Sequence, residues 1–320
     1  MRGIRRSLLR FDTGFLVIAS LAFSLPVQAH EVDESYSIAR RFAQYGAQYP
    51  GIAWPAIRPQ TGQQILPDRV YKTMGERDLL IDIFRPVKAR SRGVGIVLVH
   101  GGAWRSGARS HFYPIANLLA QRGFTVFIPQ YRLSPEAPYP AGAQDIHDAM
   151  VWAQDHARDY GVRPDRIALG GASSGGQLAS LVAYGDGMFG AGGHPYALID
   201  MDGVLDFTTP EALKYENAAG SGSSAAKWLG GSYEQAPDRW REASAASHVG
   251  PQSPPTLIIS SGNPRFTAGK DKVLAELAQY KIPAQWYAFA KAPHDIWFFD
   301  PFLTTTADRI AAFLQSLPQR

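Results

Sequence analysis

Gly171-Ala172-Ser173-Ser174-Gly175 has the G-x-S-x-G spacing of a sharp turn from a strand into a helix, with a serine at its apex. Such a turn forces its central residue into a strained conformation and exposes the side-chain oxygen. Glycines two residues either side relieve the crowding. The register selects Ser173, because a turn centred on Ser174 needs glycine at 172 and finds alanine. The start of the following helix helps to stabilise negative charge. The chemistry this suits is nucleophilic attack through a covalent intermediate, which also needs a base and donors for an oxyanion.

His100-Gly101-Gly102-Ala103-Trp104 supplies candidate donors. Two glycines at a strand end let backbone N–H groups approach a ligand closely. Gly102 and Ala103, with the N–H of Ser174, form a candidate oxyanion hole. The base is expected at His294, in AKAPHDIWFF, just beyond a strand over 283–289. Of the eight histidines, His147 and His156 fall on a helix face, His100 belongs to the glycine turn and His30 is terminal. His111, His194 and His248 lie in loops or helix starts with no evident partner. His294 comes late and in a loop after a strand, where a base can reach Ser173 across the sheet edge.

These groups need a scaffold. GVGIVLVH (93–100) is a continuous apolar run, as expected of a parallel strand buried on both faces. Strands at 124–131, 166–173, 196–202, 256–260 and 283–289 alternate with helical patterns at 111–123, 141–161, 174–184, near 270–280 and near 303–316. A hairpin about Gly75 spans 68–84. The alternation predicts an α/β fold, a mostly parallel sheet with helices on both faces and active residues at the carboxyl ends of the strands. Residues 30–66 lack a clear period and read as an N-terminal arm before a domain over 67–320. The segment 208–250 has no strand-like run and is long for a connection, so it reads as a lid or cap.

The first 29 residues stand apart. Arg2, Arg5, Arg6 and Arg10 precede an apolar run from Phe15 to Leu25, and Val27-Gln28-Ala29 places small residues where a signal peptidase cuts. A secretory signal cleaved after Ala29 is expected, with a short membrane anchor as the alternative, and the mature chain is then periplasmic or extracellular. Residues 1–29 carry four Arg and one Asp, +3 of the total of +4, so the remainder is near +1 and has no nucleic-acid footprint. The chain has no cysteine, which excludes a disulfide framework, thiol catalysis and thiolate metal sites.

HGGAWRSG (100–107), YRLSPEAPYPAGAQDIHDAMVW (131–152) and RIALGGASSGGQLA (166–179) together resemble the α/β-hydrolase carboxylesterases of the hormone-sensitive-lipase type. They are similar in particular to secreted bacterial esterases grouped with acetylxylan, pectin-acetyl and feruloyl esterases. The resemblance covers roughly residues 68–317. It implies the α/β-hydrolase fold, a serine esterase, no metal or organic cofactor, and small esters or acylated carbohydrates as substrates. At Asp145 it implies a structural role.

The base needs an orienting acid. In the resembled family this acid usually lies three residues after a glycine that matches Gly262, and Arg265 stands there instead. Arg265 cannot orient His294; it is a candidate partner for a nearby aspartate. Two replacements keep the chain order. Asp202 ends the neighbouring strand, where an unpaired charge costs several kcal/mol. Asp271 is the rival, although an Asp in the first turn of a helix is favourable on dipole grounds alone. Asp200 and Asp206 are lesser options, and Asp295 beside the base points elsewhere. Trp104, Trp228, Trp297 and Phe298 are candidates for a substrate wall, since aromatic faces suit sugar rings, with core packing as the alternative. A peptidase of the same superfamily and a non-catalytic binding module are the competing readings.

Overall fold

The structure is a computed structural model describing residues 35–318; the expected leader lies outside the described residues. The strands are β1 (Gln64–Met74), β2 (Arg77–Arg85), β3 (Gly95–Val99), β4 (Thr125–Pro129), β5 (Ile167–Ala172), β6 (Leu198–Met201), β7 (Thr256–Ser260) and β8 (Ala284–Ala288). They form one sheet in the order β1-β2-β4-β3-β5-β6-β7-β8. The hairpin β1–β2 joins β4 antiparallel, and every pairing from β4 to β8 is parallel.

The helices are α1 (Ile38–Gly46), α2 (Tyr113–Gln121), α3 (Ala141–Asp155), α4 (Ser174–Tyr184), α5 (Pro210–Glu216), α6 (Ser224–Leu229), α7 (Pro237–Glu242), α8 (Lys270–Gln279) and α9 (Phe302–Ser316). Alternating side chains of the central strands feed two cores. Val97, Val99, Phe127, Ile167 and Leu169 point to one face and pack with α3, α4 and the helices of 208–250. Ile96, Leu98, Val126, Ile128 and Ala168 point to the other and pack with α2 and α9. This is why β3, β4 and β5 read as unbroken apolar runs: both faces of each are covered. Among the described residues no helix is long and apolar enough to cross a membrane.

One region differs from the sequence reading. The arm is not aperiodic, because it contains α1, whose N-cap Ser37 accepts from the N–H of Arg40. Strand β1 also begins at Gln64, inside the segment read as arm, and pairs there with Arg85. The 208–250 segment holds three short helices and no strand. Its Trp228 and Trp240 are buried in the core.

Candidate active site

The strand order changes direction between β3 and β5: the chain runs from β3 outward to β4, then returns to place β5 on the other side. Carboxyl ends at such a switch point open a crevice. The ladder puts Val99 opposite Gly171, so the His100-Gly101-Gly102 turn lies beside the turn after β5. At that turn Ser173 has φ 54° and ψ −126°, a region a serine adopts only under constraint. A side chain at 171 would meet the carbonyl oxygen of Gly175 at 2.2 Å, and one at 175 would meet that of Val99 at 2.2 Å. The two glycines are therefore required by close backbone approach. Ser173 donates its N–H to Met201 O at 2.8 Å, which stitches the turn to β6.

Asp202 follows β6 directly. It also has a positive φ, 52°, and its N–H bonds to Ile259 O in β7 at 2.9 Å. Its carboxylate is fully buried: Oδ1 accepts the N–H of Ser261 at 3.0 Å, and Oδ2 lies 2.9 Å from His294 Nδ1. The other ring nitrogen, Nε2, lies 2.9 Å from Ser173 Oγ. A carboxylate accepts, so Nδ1 carries the proton and Nε2 is free to accept the serine hydroxyl. Ser173, His294 and Asp202 thus form one unbroken hydrogen-bonded chain across the ends of three elements.

The other carboxylates are not brought to His294. Asp271 sits in the first turn of α8, almost wholly exposed and paired with Lys270. Asp206 accepts from the N–H and hydroxyl of Thr208. Asp200 is buried within β6, where Oδ1 accepts the N–H of Gly203 at 3.1 Å. Burial, reinforced by the charge of Asp202, holds its carboxyl well above the usual carboxylate range, against the pull of the Gly203 N–H. Asp295 turns away beneath the base, accepting from the hydroxyls of Tyr36 at 2.8 Å and Tyr45 at 2.9 Å, with Arg41 Nε at 3.3 Å. Asp145 is buried under Arg132 and Lys72. Arg265 pairs with Glu216 rather than with an aspartate, its Nε and Nη2 both 3.0 Å from Oε1.

Gly102, Ala103 and Ser174 border the same cavity as Ser173 and His294. Gly102 has φ 132° and Ala103 φ 53°, so this turn too is held out of ordinary geometry. No backbone hydrogen bond among the described residues takes up the N–H of Gly102 or Ala103. Ser174 is the first residue of α4, where the N–H has no acceptor within the helix. Below the turn, His100 is buried against Tyr131, and its Nδ1 donates to Gly101 O at 2.9 Å. Burial pushes His100 down to about 4, so it supports the turn as a neutral ring.

Of the aromatic candidates only Trp104 borders the cavity. Trp228 stacks under it at 4.9 Å and 6°, and Trp297 lies edge-on to His294 at 5.1 Å. Trp228, Trp297 and Phe298 are buried and form supporting layers rather than a substrate wall. Their rings gain more from core packing than from an exposed face. Trp104 is fixed in turn by Gln177, which accepts its Nε1–H at 2.9 Å and donates to Ala243 O at 2.9 Å.

Sequence reasoning missed one wall of the cavity. Arg41, Gln44, Tyr45 and Tyr49 border it from the arm. The signal was present, since Ile38, Phe42, Tyr45 and Tyr49 recur at helical spacing after a serine cap. Among the described residues no group of three or more His, Cys, Asp or Glu is placed to hold a metal ion.

The chain is similar to several known proteins. It is 34% identical over 110 residues to the carboxylesterase NlhH of Mycobacterium tuberculosis, a stretch covering 34% of each chain. It is 26% identical over 253 residues to the esterase LipQ of the same organism, covering 74% of this chain and 58% of that one. The chain thus matches about a third of the first of these relatives and under two thirds of the second. Among solved structures, a truncated carbohydrate esterase from gut microbiota superposes with a TM-score of 0.68 at 20% identity, covering 82% of this chain and 98% of that one. The propionate-bound Est2 esterase of Thermogutta terrifontis gives 0.62 at 21% identity, covering 79% and 94%. These likenesses show the α/β-hydrolase fold. Residues 81–266, more than half of the chain, match the BD-FAE family model, and the protein therefore belongs to the BD-FAE family.

Proposed function

We propose that the protein is a secreted serine carboxylesterase that releases short acyl groups, acetate foremost, from acylated plant cell-wall polysaccharides or oligosaccharides. One observation carries this reading: the continuous 2.9 Å and 2.9 Å hydrogen bonds from Ser173 through His294 to Asp202. In it, His294 Nε2 takes the proton of Ser173 as Oγ attacks the ester carbonyl. Asp202 holds the imidazole in the required tautomer and stabilises its charged form. The N–H groups of Gly102, Ala103 and Ser174 receive the developing oxyanion. The alcohol leaves with the proton from His294, and a water activated by the same ring releases the acid.

The carboxylesterase and esterase names of the relatives support ester hydrolysis. The substrate class rests on the cavity, of about 550 Å³, a size that takes a small ligand. Arg41, Gln44, Tyr45, Tyr49, Arg105 and Asn263 give it a largely polar wall, suited to a hydroxyl-rich alcohol. An arm that ends before β1 at Gln64, a catalytic unit from β1 onward, cleavage after Ala29 and residence in the periplasm or outside the cell complete the reading. A fluorophosphonate that labels Ser173 tests the nucleophile, and an unlabelled serine overturns the enzyme reading. Acetate release from acetylated xylan and pectin, with a long-chain ester as control, tests the substrate. Faster turnover of the long-chain ester refutes the short-acyl preference.

A further inference from the structure

The loop that lacks its acid is not idle. Residues Pro264–Thr267 form a single 3-10 turn after β7, with the Asn263 side chain accepting the N–H of Arg265 at 3.2 Å. That turn lays the ring of Phe266 flat on the imidazole of His294, with centroids 3.5 Å apart and planes at 17°. The guanidinium of Arg265 lies over the Phe266 ring, 4.9 Å from its centroid, and 5.1 Å from that of Tyr215. Glu216, at the end of α5, holds Arg265 in place. The result is a column, His294–Phe266–Arg265–Tyr215, joining the base to the 208–250 segment.

We infer that Phe266, braced by the Arg265–Glu216 pair, is a positioning residue for His294: its face fixes the imidazole between Ser173 and Asp202 and favours the cationic ring. The inference rests on the proposed role of His294 as base. Its physical ground is that an aromatic face attracts a cation more than a neutral ring. The contact therefore strengthens as the imidazole gains a proton from Ser173, and it acts when that charge forms. Trp297 stands nearly perpendicular to the imidazole at 5.1 Å and 84°, so only Phe266 lies parallel to it. The imidazole is trapped in its plane by Asp202 at one nitrogen and Ser173 at the other, and out of its plane by Phe266. Arginine at position 265 then has a use that an acid could not serve, because its guanidinium lies over the Phe266 ring while Glu216 offsets its charge.

The charged groups around His294 are Asp202 at Nδ1, Arg265 against Phe266 and Glu216 paired with Arg265. Asp295 follows it in the chain and is turned into Tyr36, Tyr45 and Arg41. Two measurements on the full chain decide the inference. The first is steady-state kinetics with p-nitrophenyl acetate. The second is the protonation midpoint of His294, followed by NMR of its ring nitrogens. Phe266→Leu keeps an apolar side chain and removes the face. It should lower kcat about tenfold or more with KM changed less than about threefold. The His294 midpoint should fall by about half a unit. Phe266→Tyr should restore most of both. Glu216→Gln should also lower the midpoint, by leaving the Arg265 charge uncompensated. A Phe266→Leu enzyme with unchanged kcat and midpoint overturns the inference, as does a change confined to KM. If the wild type hydrolyses no ester and Ser173 resists labelling, the esterase reading fails, and the His294 midpoint alone still decides the stack.

Discussion

Arg265 at the position where an acid is expected separates two questions that sequence alone runs together: whether the base has a carboxylate, and where it comes from. The carboxylate that reaches His294 is Asp202, with both oxygens engaged and no exposure, while Asp271 is paired with Lys270 in solvent. Asp202→Asn keeps the shape of the side chain but presents a donor where Nδ1–H needs an acceptor. We expect kcat/KM to drop by several orders of magnitude, on the order of 10⁴. Asp271→Asn should stay within about twofold, since it removes a surface pair of little weight. Turnover of p-nitrophenyl acetate by the two variants distinguishes them, and a large loss in the Asp271 variant refutes the assignment. The turns that carry Ser173, Gly102, Ala103 and Ser174 to one cavity were legible because glycine spacing has few other uses at a strand end. Phe266 was not, because a lone aromatic in a loop carries no spacing signal. The flat contact with His294 exists only once β7 and β8 lie side by side.

At the scale of elements, the arm contributes more than a wrap. Helix α1 borders the cavity with Arg41, Gln44 and Tyr45, and Tyr36 and Tyr45 hydrogen-bond Asp295, the residue after the base. Asp295 is fully buried, so its charge needs these donors. Removing one leaves part of a buried carboxylate unsatisfied. Tyr45→Phe and Tyr36→Phe should each cost about 1–3 kcal/mol in urea unfolding. Tyr36→Phe should cost more, because its hydroxyl also accepts from Trp297 Nε1 at 3.3 Å. A loss of less than a few tenths in both shows that α1 docks by its apolar side alone. Parallel strands were easy to read because burial on both faces makes them continuous. The arm was harder, because α1 is only nine residues long and its period is brief, and the groups it docks on lie some 250 positions away in sequence. Similarly, sequence left Trp228 and Trp297 between a substrate wall and core packing, and the packing of α6 and of the loop after β8 buries both.

Across the whole molecule, backbone strain gathers at the carboxyl end of the sheet, where Asp200 and Asp202 are also buried. Ala103, Trp104, Ser173 and Asp202, four of the six described non-glycine residues with positive φ, all border the cavity. Such conformations persist only where surrounding structure over-determines them. The adjacent buried acid, Asp200, is part of that cost and gives it a pH signature. Its carboxyl is held well above the usual range by burial and by Asp202, so the folded chain keeps a proton that the unfolded chain releases above about pH 3.9. The stability linked to this group is complete below that pH and is lost as pH rises through the folded value. His100 acts in the opposite sense. Its folded value of about 4 means that the unfolded chain gains a proton the fold refuses, so stability falls as pH drops from about 6.5 to 4. Comparing wild type with Asp200→Asn cancels the His100 contribution and isolates Asp200. The amide keeps an acceptor for the Gly203 N–H, has no proton to lose and does not repel Asp202. Asp200→Asn should therefore gain in urea midpoint over wild type as pH rises from 4 to 8, with the gap nearly closed at pH 4. A gap that does not change with pH would mean that Asp200 is ionised in the fold, and that the carboxyl end of the sheet holds two charged carboxylates rather than one.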